Sequence, residues 1–135
     1  MNDLAALPLH HVAVAAHSIR ETAPLYELIT GASCSRIEDV PAQGVRAAFV
    51  GTIEILEPLD ATGAVARFLE RRGPGLHHVA YRVDDIRAAL SRLREAGVRL
   101  VDEHPRAGAG GHAVAFLHPE ATGGVLVELV EVSGP

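Results

Sequence analysis

The sequence predicts an α+β fold built from two tandem βαβββ modules, and three observations predict it. The pentapeptide Leu-His-His-Val-Ala occurs twice, at Leu9–Ala13 and at Leu76–Ala80, 67 residues apart. At the same offset Ser18-Ile19-Arg20 falls on Asp85-Ile86-Arg87, so each copy runs from a strand into a helix with a good N-cap residue. Each copy then closes on an apolar-Glu-apolar-apolar-Glu strand, Ile53–Glu57 and Val127–Glu131. This last pair is 74 residues apart, so the second copy carries seven additional residues, most of them assignable to the glycine-rich stretch Arg106–Gly111.

The first strand opens near Leu9. Side chains alternate faces along a strand, so Val12 and Val14 share one face with His10, and His11 shares the other with Ala13 and Ala15. A helix follows over about Ser18–Thr30 and stops at Gly31, a residue suited to a helix C-terminus. Pro24 predicts a late start or a kink, because an interior proline removes a backbone bond and clashes with the preceding turn. Short β-like runs at Ser33–Ile37, Arg46–Val50 and Thr52–Leu56 complete module one, at about residues 7–60. A linker, about 61–75, holds a short helix near Ala61–Arg71 and ends at the Gly73-Pro74-Gly75 breaker. Module two, about 76–132, repeats the scheme. Val79, Tyr81 and Val83 lie with His77, and His78 lies with Ala80 and Arg82. A helix over about Asp85–Ala96 ends at Gly97, and strands follow at Val98–Asp102, Ala113–Leu117 and Gly124–Val132. Neither half is large enough for its own core, so residues 1–135 read as one domain of two halves.

Composition narrows the function classes. A chain of 135 residues with 48% hydrophobic content can bury a core, and a formal charge of −5 argues against a nucleic-acid partner. Every basic residue is arginine, which excludes Schiff-base chemistry through lysine. The one cysteine, Cys34, has no internal disulfide partner and sits in a polar stretch with nothing to activate its thiol, so a reducing cytoplasm is the expected compartment. No apolar run approaches the ~20 residues of a membrane span, and the N-terminus lacks a signal-peptide pattern, so no membrane association is expected.

The repeat singles out four residues: His11, Glu54, His78 and Glu128. The bulky faces of the first strands should pack under the helices, leaving His11 and His78 beside small residues on a concave side. Glu54 and Glu128 each stand between two aliphatic neighbours, and a buried carboxylate is normally paired or bound to a metal. Any one of the four alone reads as an ordinary core or strand residue; their equivalent places in a repeat make them a site. Two imidazoles with two carboxylates suit one borderline divalent ion, Co²⁺, Mn²⁺, Ni²⁺, Zn²⁺ or Fe²⁺, better than Ca²⁺. His10, His17, His77, His104, His112 and His118 lack that support and read as surface or structural, although His112 and His118 flank a strand after the glycine loop.

Ordered blocks extend the pattern over about Leu9 to Val132. They include Leu9-His10-His11-Val12-Ala13, Pro41-Ala42-Gln43-Gly44-Val45, Glu54-Ile55-Leu56-Glu57-Pro58-Leu59 and Gly75-Leu76-His77-His78-Val79-Ala80. They continue in Asp84-Asp85-Ile86, Asp102-Glu103-His104-Pro105-Arg106, Gly108-Ala109-Gly110-Gly111, Phe116-Leu117-His118-Pro119 and Thr122-Gly123-Gly124-Val125-Leu126-Val127-Glu128-Leu129. With these the chain resembles the vicinal oxygen chelate superfamily and, within it, the methylmalonyl-CoA epimerase family. The resemblance implies a half-open β-barrel, a homodimer and an acyl-CoA substrate. It also implies metal-dependent interconversion of (2R)- and (2S)-methylmalonyl-CoA by 1,1-proton transfer through a metal-stabilised enolate. His11 and His78 match the family's histidine ligands, Glu54 a position that is Gln or Glu, and Glu128 a carboxylate that is both ligand and acid/base.

Two departures stand out. Some members carry a second catalytic Glu two residues after the Gly-Val pair, where this chain has Ala47, and Ala42 replaces a more usual Glu. For the substrate's ends, the Gly108–Gly111 loop is a candidate anion nest for the carboxylate, and Arg46 or Arg106 are candidates for CoA phosphates. Other readings on the same scaffold are lactoylglutathione lyase, extradiol ring cleavage, which usually needs only two His and one carboxylate, and a non-catalytic drug-sequestering relative, which often lacks the metal residues.

Overall fold

An antiparallel seam between the two copies of the repeat sets the architecture. The computed structural model of the protein describes residues 6–133. Strand β1 (Leu9–Ala15) pairs with β5 (Gly75–Arg82), placing His11 opposite Ala80 and Ala13 opposite His78. Around this seam lie α1 (Ile19–Thr30), β2 (Glu38–Val40), β3 (Val45–Val50), β4 (Ile53–Pro58) and α2 (Ala64–Arg72). The second copy adds α3 (Ile86–Glu95), β6 (Arg106–Ala107), β7 (Ala113–Leu117) and β8 (Val127–Glu131). All eight strands form one sheet in the order β2-β3-β4-β1-β5-β8-β7-β6. In each module the last strand runs parallel to the first, with Ala13 beside Glu54 and Ala80 beside Glu128. The sheet's two ends meet: Gly110 N–H donates to the Glu38 carboxylate at 2.9 Å, and Arg106 Nη1 donates to the Ala42 carbonyl at 3.0 Å. The result is a nearly closed barrel. The seven additional residues of the second copy do not lie in Arg106–Gly111: Phe49 pairs with Glu54 and Phe116 with Glu128, so the offset of 67 holds through β7 and the extra residues form the turn between β7 and β8.

Helices α1 and α3 start where the sequence caps them. Ser18 Oγ accepts from Glu21 N–H and Asp85 Oδ1 from Ala88 N–H, each satisfying a donor of the first turn. A second acceptor was not anticipated. The outer glutamate of each closing motif reaches the same helix start, Glu57 Oε1 taking Ile19 N–H at 2.8 Å and Glu131 Oε1 taking Ile86 N–H at 2.9 Å. Helix α1 begins at Ile19 despite Pro24, so the late start does not occur. Pro24 and Arg20, whose carbonyl loses its helical bond, are both exposed, and water can take the vacant acceptor.

Two expected strands are not strands. Ser33–Ile37 makes only an isolated bridge, Cys34 to Val50, and Val98–Asp102 only one from Leu100 to Leu117. Pairing begins later, at β2 and β6. In both segments a side chain captures an amide on the neighbouring strand: Ser35 Oγ accepts from Phe49 N–H, and Asp102 Oδ2 from Phe116 N–H, each at 2.8 Å. Ser35 and Asp102 are again equivalent residues of the repeat, so the same device ends the ladder twice.

Helices α1 and α3 cover the outer face. Ile19 and Ala23 of α1 pack with Val14, Ala48, Val50 and Ile55, and Ile86, Ala89 and Leu90 of α3 pack with Val83, Ala115, Leu117 and Leu129. Helix α2 covers part of the inner face instead, seating Val65 and Leu69 on Ala13, Ala15, Val45 and Leu56.

Candidate metal centre

Each of the four central strands delivers one side chain to the inside of the barrel: His11 from β1, Glu54 from β4, His78 from β5 and Glu128 from β8. These are the buried polar or charged side chains among the described residues, none more than 5% exposed. His11 Nε2 stands 3.1 Å from Glu54 Oε1 and 3.1 Å from Glu128 Oε1. His78 Nε2 stands 3.1 Å from Glu128 Oε1 and 3.7 Å from Glu54 Oε1, and the two imidazole nitrogens are 3.3 Å apart. Phe49 and Phe116, the strand partners of Glu54 and Glu128, stand edge-on to His11 and His78 at 5.4 and 5.1 Å.

The spacing tests whether an ion fits. At ligand distances near 2.1 Å, ligand atoms lie about 3.0 Å apart at right angles and about 3.4 Å apart at tetrahedral angles. The four atoms lie within 4.8 Å of one another and mostly between these separations and slightly beyond. Two buried carboxylates facing two imidazoles demand positive charge, so the donor set fits a divalent ion.

Without an ion, protons supply that charge. Burial alone would lower the His11 pKa, but hydrogen bonds to Glu128 and Glu54, with their charges, raise it to about 9. Burial would likewise raise that of Glu128, but hydrogen bonds from His11 and His78 lower it to about 2.

His10 and His77 are half-buried rather than on the surface. Strict alternation breaks at both, and each turns toward the ligand histidine beside it: His10 Nδ1 lies 2.7 Å from His11 Nδ1, and His77 Nδ1 lies 2.8 Å from His78 Nδ1. Burial and the His78 charge push the His77 pKa down to about 4; burial and the charges of His11 and His112 lower that of His10. The only sequence signal for them was the doubled histidine of each repeat.

At the mouth, His10, Phe49, Ala109 and His112 border both the inner cavity and the outer cleft that leads to it. Gln43 also lines the inner cavity; its block, Pro41–Val45, marked the family but no role in a site. The glycine loop holds a carboxylate, but one of this chain. Gly110 N–H is engaged by Glu38, and Gly108 and Gly111 N–H bond to the His112 and Gly108 carbonyls. Arg46 pairs with Asp39 and Glu57, and Arg106 with Asp102, so neither is an uncommitted cation. Ala47 is 2% exposed, packed among apolar side chains against α2. His118 caps a short turn through Glu120 N–H. Burial and the Glu27 charge push the Cys34 thiol up, away from the nucleophilic range.

Fold and site together define a class: a paired βαβββ barrel with a buried His₂Glu₂ cluster on its pseudo-twofold seam. Residues 10–116 match the family model of the Glyoxalase/Bleomycin resistance protein/Dioxygenase superfamily. The chain belongs to this superfamily, in the branch of the methylmalonyl-CoA epimerases. It is 41% identical over 130 residues to the ethylmalonyl-CoA/methylmalonyl-CoA epimerase of Cereibacter sphaeroides, spanning 92% of this chain and 97% of that one. It superposes on the crystal structure of methylmalonyl-CoA epimerase from Mycobacterium tuberculosis with a TM-score of 0.91, at 36% identity and covering 98% and 95% of the two chains. A Streptomyces coelicolor methylmalonyl-CoA epimerase variant, in complex with 2-nitronate-propionyl-CoA, matches with a TM-score of 0.89 at 31% identity, over 96% and 97% of the chains.

Proposed function

We propose that the chain interconverts (2R)- and (2S)-methylmalonyl-CoA by a 1,1-proton transfer, with His11, Glu54, His78 and Glu128 holding one divalent ion. The observation that carries this reading is the burial of all four side chains at ligand spacing on equivalent strands of the repeat. When bound, the ion supplies Lewis-acid stabilisation of the charge that develops on the substrate oxygens as the α-proton leaves.

Glu128 is the group that moves that proton. Its Oε1 faces both imidazoles, while Oε2 has no hydrogen-bond partner among the described residues. The carboxylate takes the α-proton from one face of the substrate, and the electron pair delocalises over the adjacent thioester and carboxylate groups. A proton returns to the same carbon from the opposite face and completes the inversion. Ala47 offers no acid at the position where some members of the family carry a Glu, so water, or a side chain from elsewhere, is the donor on that side. Phe49, Phe116 and α2 keep the remainder of the cavity apolar, which strengthens the charge interactions within it.

Co²⁺ is the ion proposed for work in vitro, and the protein is proposed to act as a homodimer in a reducing cytoplasm. No helix among the described residues is long and apolar enough to cross a membrane. The test is incubation of metal-loaded protein with methylmalonyl-CoA in D₂O, following loss of the α-proton by NMR with His11→Ala as control. Exchange together with interconversion of the epimers supports the reading. Exchange without interconversion sinks the two-face transfer, and metal-bound protein with no exchange above the control sinks the substrate assignment.

A further inference from the structure

We infer that His10 and His77 are positioning residues, each accepting the Nδ1–H of its neighbour, His11 or His78, and so fixing that ring with its Nε2 lone pair turned into the cluster. This rests on the metal reading above.

The backbone is the first support. In a regular strand His10 would point away from His11, and His77 from His78. The pairing of β1 with β5 is irregular at these two places. Leu9 opposes Tyr81 and His11 opposes Ala80, so His10 is an extra residue on β1. Ala13 opposes His78 and Val14 opposes Leu76, so His77 is an extra residue on β5. Each is a bulge, and a bulge re-aims side chains at the cost of local pairing. The sheet accepts that cost twice, at equivalent positions of the two copies, and each time the outcome is a close nitrogen–nitrogen contact.

The chemistry of imidazole assigns the direction of the bond. A nitrogen that ligates a metal does so through its lone pair, so a ring that offers Nε2 carries its proton on Nδ1. The atom 2.7 Å from His11 Nδ1 is His10 Nδ1, and the atom 2.8 Å from His78 Nδ1 is His77 Nδ1; each must then accept. The outer rings are themselves held, His77 edge-on to Phe68 at 5.0 Å and His10 edge-on to His112 at 5.9 Å.

The test is Co²⁺ titration of the metal-free protein, read from the ligand-field absorption of the bound ion. Asn places an oxygen where His carries Nδ1, whereas Gln reaches one atom farther and Ala offers nothing. His10→Asn and His77→Asn are expected to keep wild-type affinity, and the Gln and Ala variants to weaken it roughly 10–100-fold with an altered spectrum. Folded Ala variants with wild-type affinity and spectrum overturn the inference, as do Asn variants as weak as Ala. A wild type that binds no Co²⁺ overturns the metal reading first, a distinguishable failure. Should the variants not fold, long-range ¹H–¹⁵N NMR of the Zn²⁺-loaded wild type decides. An unprotonated Nδ1 on both His10 and His77 is expected, and a protonated one on either overturns the inference.

Discussion

Removing the metal should expose a pH dependence of stability that resides largely in one histidine. In the metal-free fold His11 has its pKa raised from 6.5 to about 9. A group whose pKa is raised on folding contributes stability that is fully present below its unfolded value and is lost as pH rises through the folded one. The window is therefore pH 6.5 to 9. That rise corresponds to roughly 3 kcal/mol, of which less than half remains at pH 8 and almost none above pH 10. With an unfolding entropy of about 0.28 kcal/mol/K for a chain of this length, roughly 3 kcal/mol is a fall in Tm of about 10 °C. The assay is thermal unfolding of chelator-treated protein across pH 5.5–10, with His11→Gln as the reference that lacks this group. The ion takes over the proton's role, so loaded protein should lose this slope. A wild-type-minus-H11Q difference that is flat between pH 6.5 and 9 would refute the coupling of His11 to Glu128 and Glu54.

Other perturbations separate the site from its scaffold. Adding divalent ion at about 100 times its Kd should stabilise the fold by about 2.7 kcal/mol in a thermal scan, and His11→Ala should lose most of that gain. Glu57→Ala and Glu131→Ala should each cost about 1–2 kcal/mol in urea unfolding, because each strips an acceptor from a helix N-terminus; additive costs would confirm that the two caps act independently. A Cβ at Gly108 would lie 2.7 Å from Val114 Cγ1. Gly108→Ala should therefore destabilise by about 1–3 kcal/mol, and Val114→Ala should relieve part of that in a double-mutant cycle. Absence of any coupling in the cycle would show that the loop moves aside.

The repeat made much of the molecule legible. Equivalent positions of Leu-His-His-Val-Ala and of the closing motif led to His11, Glu54, His78 and Glu128, because tandem modules that share a sheet must place equivalent residues around one axis. The same logic would have reached Glu57 and Glu131, the outer residues of the closing motif, had the helix starts been considered as their targets. Ser33–Ile37 and Val98–Asp102 misled because their composition suits a strand, while the side chains of Ser35 and Asp102 capture the amides that a ladder would use. The bulges at His10 and His77 carry no signature in composition or periodicity. They arise from how two strands meet, and that meeting is long-range. Closure by Glu38 and Arg106 was hidden for the same reason, since each bonds to a residue more than 60 positions away.

The seam between β1 and β5 also has a stereochemical consequence. A rotation axis lying in the plane of a flat intermediate exchanges its two faces. The pairing of His11 with Ala80 and of His78 with Ala13 relates the two halves by a twofold rotation. Ala47 of the first copy and Val114 of the second, both apolar and buried, are equivalent positions in it. The duplication fails in α2, which belongs to neither copy, and in the longer turn between β7 and β8. A barrel made by repeating one half is thus built with matching walls, a property suited to a reaction in which one carbon is approached from either face.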